Sequence, residues 1–234
     1  MRLLKCFLAI FVLIPLCIIC TRTALVALFD SLPGMLNWQR PWFLCFVAGI
    51  ALWSVVFFLL PRPMWLYVLG HEVTHAFWAW LFGGRIMELK VSSQGGLVRT
   101  NKSNFFIVLA PYFFPFYCFV VLVLWFVVGL FFPLDAYLPV MFFVLGVAYG
   151  FHILFTMTVI PMVQSDITSQ GWLFSLSVIY LLNLLPLGIF VLAIVPGTDW
   201  ASLPVLLWES IVWFVQLCDL AVVLAAKLVS GSAN

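Results

Sequence analysis

The chain has 234 residues, of which 66% are hydrophobic and 8% are charged, and its mean hydropathy is +1.25. A water-soluble domain of this length cannot bury so much apolar surface, which excludes an ordinary soluble enzyme and predicts an integral membrane protein. The net charge of +2 is small and dispersed. The sequence therefore predicts the lipid bilayer as a partner and no binding of nucleic acid.

The apolar segments are continuous, without the alternation expected of a lipid-facing barrel, and they predict an all-α membrane fold. We predict about seven transmembrane helices, near residues 3–20, 42–60, 64–82, 104–131, 138–160, 171–195 and 204–228. Pro111 and Pro115 predict a kink in the fourth of them. No linker or charge run divides the chain, so residues 1–234 are predicted to form a single polytopic membrane domain.

The first predicted helix carries two features that need an interpretation. Arg2 and Lys5 precede an apolar stretch, as in a signal peptide, but no small-x-small cleavage motif follows, which favours an uncleaved anchor. Cys17 and Cys20 have the spacing of zinc ligands. They lie in an apolar helix without a second pair, so packing residues are the favoured interpretation.

The third predicted helix contains the stretch "VLGHEVTHAFWAWLF" at residues 68–82. His71 and His75 are four residues apart, so a helix places both imidazoles on one face, where they can bind one Zn²⁺ ion. Glu72 is offset by about 100° around the helix, close enough to accept a proton from water at the metal. The alternative is a set of packed, hydrogen-bonded residues. Burying Glu72 in a membrane for packing alone is costly, which favours the metal site.

The connection that follows, "GGRIMELKVSSQGGLVRT" at residues 83–100, is the only long polar stretch. Met87, Leu89 and Val91 alternate with polar residues, and a predicted turn at Ser93 to Gly96 follows them. We predict a small β-hairpin inserted after the metal-binding helix, with an ordinary interhelical loop as the alternative.

These residues resemble the site-2 protease family of intramembrane zinc metallopeptidases, especially its compact bacterial-type members. The resemblance covers roughly residues 64–185 and rests on Gly70 to Ala76, Phe82 to Arg85, Gly95-Gly96 and Ala110-Pro111-Tyr112. It implies that His71 and His75 bind zinc, that Glu72 is the catalytic base, and that a catalytic core spans about residues 64–195. It also implies a multi-pass protein of a bacterial inner membrane, with membrane proteins as substrates.

The third metal ligand is less directly indicated. Larger family members carry it in a Leu-Asp-Gly motif, and this chain has no Asp-Gly pair, although Asn183 and Pro186 match the Asn-x-x-Pro element that often precedes the motif. The candidates are Glu88, Asp135, His152, Asp166, Asp199, Glu209 and Asp219.

Helix polarity favours Asp166 among these candidates. Asp166 follows the fifth helix on the side where the third helix ends, and Pro161 is expected to break the helix and let the segment fold inward. An interfacial aspartate without a metal is the alternative. His152 lies deeper in the fifth helix. Its candidate roles are to support the metal ligands through a hydrogen bond or to contact the substrate, and the alternative is a histidine that only packs.

The sequence thus predicts an intramembrane zinc metalloprotease in which Glu72 is the general base. The 83–100 segment is the suspected substrate-binding element, because an exposed strand edge can hold an unwound peptide. The rival interpretation is a proteolytically inactive membrane scaffold or a metal-binding, transporter-like protein. The sequence does not identify the substrate.

Overall fold

The computed structural model describes residues 2–92, 95–162 and 164–231, with side chains as far as residue 228. The helices are α1 Arg2–Asp30, α2 Leu32–Met35, α3 Trp42–Leu59, α4 Met64–Leu81, α5 Phe105–Phe113, α6 Phe116–Gly129, α7 Leu138–Val159, α8 Ser165–Gln170, α9 Trp172–Ile194 and α10 Leu203–Gly231. The strands are β1 Ile86–Ser92 and β2 Gly95–Thr100. The predicted helical class and the small hairpin after α4 are confirmed.

The number of helices that can cross a membrane is lower than predicted. Within the described residues, five helices are long and apolar enough: α1, α3, α7, α9 and α10, where α7 and α10 each include the short turn before them. Counting the bent pair α5–α6 as one span raises the number to six. The prediction of seven is not supported, because α4 is not hydrophobic enough to count as a membrane span. His71, Glu72 and His75 make that helix too polar to count as a span on composition.

The predicted kink is present between α5 and α6, whose axes differ by 77°. Pro115 stands at the break, where it has no backbone N–H to continue the helical hydrogen bonds. After the hairpin, α5 runs back along α4, where Phe106 packs beside Trp78 and Tyr112 packs beside His71. Helix α5 therefore lies over the face of α4 that carries the predicted ligands, and the bend sets the different direction of α6.

Helices α3 and α7 run in the same direction, since their contacts advance together from Gly49 beside Gly146 to Phe57 beside Phe155. If α4 and the α5–α6 pair each crossed a bilayer between them, α7 would run opposite to α3. The parallel direction therefore excludes a bilayer crossing by both α4 and the bent pair, and a crossing by either one alone satisfies it.

The two strands pair antiparallel, from Ile86 opposite Thr100 to Ser92 opposite Gly95, with an irregularity between Ile86 and Glu88. Two residues of the predicted turn, Ser93 and Gln94, lie outside the described residues. Both strands pack against α4. The hairpin therefore lies on the helix that carries His71, Glu72 and His75.

The α3–α7 contact depends on two facing glycines. A Cβ added at Gly49 would overlap the Phe143 carbonyl oxygen and lie 2.8 Å from the Val147 nitrogen, and one added at Gly146 would overlap the Phe46 carbonyl oxygen. We expect Gly146→Ala to force the helices apart and to lower the free energy of unfolding by ~1–3 kcal/mol. Denaturant unfolding in detergent measures this change.

Gly129→Ala is the matched control, because the nearest atom to its added Cβ would be 3.6 Å away, on Leu134. Equal stability of the Gly146→Ala protein and this control would contradict the close contact.

Candidate metal centre

Helix α4 presents His71 and His75 on one face, and their Nε2 atoms lie 3.2 Å apart. The helix is continuous across both residues, so their separation of one turn is fixed by the backbone. Their side chains are only 12% and 14% exposed. The predicted pairing of these two imidazoles is therefore present in the fold.

Asp166, about 90 residues later in the sequence, completes the group. Helix α7 ends at Val159, before Pro161, and Asp166 follows in the short helix α8. Its Oδ2 atom lies 3.5 Å from His71 Nε2 and 3.4 Å from His75 Nε2. Burial raises the pKa of the Asp166 carboxyl, but hydrogen bonds to the two histidines outweigh burial and hold that pKa below its usual range.

The three donor atoms fit a zinc ion. Zinc bonds of 2.0–2.1 Å in a tetrahedron place neighbouring ligand atoms about 3.3–3.4 Å apart. The three distances observed here are 3.2, 3.4 and 3.5 Å. Within the described residues, His71, His75 and Asp166 are the only such group of three, which leaves a fourth position for water or substrate, as in catalytic zinc sites.

The second nitrogen of each imidazole also has a partner. His75 Nδ1 lies 2.8 Å from the Ile107 carbonyl oxygen, and His71 Nδ1 lies 3.3 Å from the Tyr67 hydroxyl. The Ile107 carbonyl is available because residue 111, four positions later in α5, is proline and has no N–H to donate. Such contacts fix which ring nitrogen faces a metal.

Tyr112 also contacts the Asp166 carboxylate. Its hydroxyl donates to Asp166 Oδ2 at 3.2 Å, its ring stands edge-on to His71, and its side chain is fully buried. The Asn183 amide donates to the Tyr112 carbonyl oxygen at 2.9 Å. Tyr112 belongs to the motif that carries the resemblance, but only the fold shows this contact, which joins residues 54 positions apart in the sequence.

Glu72 lies beside the three ligands, in the wall of a cavity of about 440 Å³. The cavity is shared by Glu72, both histidines and Asp166, and strand β2 lines it from Gly95 to Val98. The Glu72 side chain packs against Gly96, where an added Cβ would lie 2.7 Å from its Cδ and Oε1 atoms. The hairpin therefore covers the predicted base.

Two other candidates lie away from this group. Glu88 is on the hairpin and forms ion pairs with Lys90 and Arg99, so its charge is satisfied there. His152 is buried in α7 with its Nε2 atom 3.3 Å from Asn183 Oδ1. Its role as a support for the ligands or a substrate contact stays a prediction.

No protein-family model matches this chain, and neither a curated protein nor a solved structure matches it. The resemblance to site-2 proteases therefore rests on the motif residues.

The role of Pro111 can be tested directly. In Pro111→Ala the new backbone N–H competes with His75 for the Ile107 carbonyl, so we expect zinc affinity to fall by roughly tenfold or more. Chelator competition on the purified chain measures this affinity. Pro139→Ala is the control, because Pro139 stands in the first turn of α7, where helices tolerate proline. Equal zinc affinity in both variants would contradict the role of the freed carbonyl.

The contact between Gly96 and Glu72 can be tested by a double-mutant cycle. Gly96→Ala should destabilise the protein by ~1–3 kcal/mol, because the new methyl group overlaps the Glu72 side chain. In a Glu72→Ala background the overlapping atoms are gone, so the same substitution should cost close to nothing. Unfolding free energies of the four proteins measure the coupling, and a cost that persists without Glu72 would show that the two residues are not in contact.

Proposed function

We propose that this protein is an intramembrane zinc metalloprotease that hydrolyses peptide bonds of membrane-embedded substrates. One observation carries the proposal: three donor atoms at the spacing of zinc ligands share a cavity with a carboxylate that is not one of them. Zinc peptidases have the same arrangement, in which three side chains bind the metal and a separate glutamate transfers the proton.

Each residue then has a definite task. His71, His75 and Asp166 would hold the ion, which when bound lowers the pKa of a water molecule and polarises the scissile carbonyl. Glu72 accepts the proton of the attacking water and returns it to the leaving amine. Tyr112 keeps the Asp166 carboxylate oriented, and the Ile107 carbonyl keeps the His75 ring in place.

We assign substrate binding to the hairpin, residues 83–100. A peptide bond inside a helix is protected by its hydrogen bonds, so a membrane-spanning substrate has to unwind before cleavage. Strand β2 lines the cavity beside Glu72, and a two-stranded sheet leaves its outer edges unpaired. An unwound segment can pair with such an edge through its backbone.

The proposed setting is a bilayer crossed six times by α1, α3, the α5–α6 pair, α7, α9 and α10, with α4 as the catalytic helix that does not span it. The location in a bacterial inner membrane follows from the resemblance to compact bacterial-type members.

A metal-binding transporter-like protein or an inactive scaffold is the competing function, since both could use the same ligands. Glu72 favours the enzyme. Across the residues that the structure describes, its carboxylate makes no hydrogen bond and no ion pair, although it is only 9% exposed. A carboxylate that borders the ligand cavity with no hydrogen bond from a described residue holding it in place is suited to transfer a proton, whereas a simple metal-binding site has no use for it.

Substitution of Glu72 by glutamine separates metal binding from chemistry. Glu72→Gln should retain about one zinc per chain and lose cleavage by roughly 100-fold or more, because an amide cannot accept the proton. Zinc analysis of the purified chain gives the first quantity. Comparison of the membrane proteome in cells with the wild-type or Glu72→Gln protein, scored for single-span proteins that accumulate, gives the second. Cleavage at the wild-type rate would exclude Glu72 as the base.

The ligand assignment is tested by Asp166→Ala, which should lose most of its bound metal. Glu88→Ala is the control, because Glu88 is paired on the hairpin and should leave zinc content unchanged. Full metal occupancy with intact cleavage in Asp166→Ala would reject Asp166, and the same assay on His152→Ala would then test the remaining histidine. Elemental analysis also distinguishes zinc from iron, which binds comparable ligand sets.

A further inference from the structure

We propose that a groove between α1, α7 and α9 binds an anionic phospholipid, with its phosphate held by Arg22. The groove has a volume of about 960 Å³ and lies on the side of the bundle where α10 packs against α1. Its walls are mainly apolar, with Ile18 and Leu25 from α1, Met157 from α7 and Leu176 from α9 among the lining residues. Among the described residues that line it, Arg22 is the single charged one.

The guanidinium of Arg22 is anchored by a neutral partner. One nitrogen donates to Ser210 Oγ at 2.8 Å, and the group lies 5.5 Å from the centre of the Trp213 ring. Within the described part of the chain, no carboxylate forms an ion pair with Arg22, including Glu209, which lines a neighbouring cavity with it. The other guanidinium N–H groups are therefore available to an anion.

The depth of Arg22 suits a lipid phosphate. Helix α1 has 29 residues and is about 43 Å long, ~13 Å longer than the hydrocarbon core. Arg22 stands eight residues before the end of α1, about 12 Å along the axis. If the ~13 Å by which α1 exceeds the hydrocarbon core is divided equally between its two ends, the Arg22 Cα lies roughly 5 Å inside the hydrocarbon boundary. An arginine side chain can span that distance to the phosphate level.

The dimensions of the groove favour a lipid over a protein segment. A helix is 10–12 Å wide, so 960 Å³ would contain only about two turns of one, far less than the ~20 residues of a membrane span. An acyl chain is much thinner and can follow the apolar wall from Arg22 toward Leu176. Arginine pairs with phosphate through two parallel hydrogen bonds, and basic pockets between membrane helices bind anionic headgroups.

The test uses the full chain in nanodiscs of phosphatidylcholine with a minor fraction of phosphatidylglycerol. Native mass spectrometry should show about one phosphatidylglycerol retained per chain by the wild-type protein. Arg22→Gln should lower that retention by about tenfold or more. Arg40→Gln is the matched control, because Arg40 also lies near an indole, that of Trp42 at 5.8 Å, but does not line the groove.

A second pair of variants tests the groove without touching the charge or the Arg22–Ser210 hydrogen bond. Leu176→Trp should fill part of the groove and lower lipid retention, whereas Leu173→Trp, one turn earlier on α9 and outside the lining, should not. This pair decides the question if Arg22→Gln does not fold.

Equal retention in all variants, or equal retention of phosphatidylcholine and phosphatidylglycerol, would overturn the proposal. Displacement of the lipid by a cross-linked protein segment would identify a different occupant.

Discussion

The hydrogen bond between His75 and the Ile107 carbonyl is the interaction on which the candidate site depends. It exists because Pro111 donates no N–H to that carbonyl, and because the chain returns after the hairpin so that α5 packs along α4. The same helix brings Tyr112 to Asp166. With an N–H at position 111, α5 would use the Ile107 carbonyl in its own hydrogen bonds, so a proline that weakens the helix also provides the acceptor for His75.

The predictable part of the site was local in the chain. Helical geometry fixes the relation of His71, Glu72 and His75, whatever the rest of the fold does. Asp166 required helix polarity, and the structure brings it to the histidines although the assumption of seven spans behind that argument is not supported. The residue is therefore the expected one, but the polarity behind it is not, since Phe155 near the end of α7 packs against Phe57 and Tyr67, beside the start of α4 and not its end.

The contacts that sequence reasoning missed join distant positions. Gly96 meets Glu72 across 24 residues, and Tyr112 meets Asp166 across 54. No periodicity or spacing encodes such pairs, because they follow from how the hairpin and the bent α5 fold back onto α4. The count of spans failed for a related reason. The apolar residues of α4 suggested a membrane span, whereas its three ionisable residues leave it less hydrophobic than the helices that qualify as spans.

Asn183 lies between the groove and the candidate metal centre. It lines the groove beside Arg22, and it also donates to the Tyr112 carbonyl and contacts His152. A contiguous chain of contacts therefore runs from the groove through Asn183 and Tyr112 to Asp166. Such a chain of contacts does not by itself couple the groove to the metal centre. Coupling requires a structural element with two conformations whose equilibrium is shifted by both sites. What the contacts do show is how Asp166 is held: it stands on the six-residue helix α8, and Tyr112, itself bonded by Asn183, donates to its carboxylate.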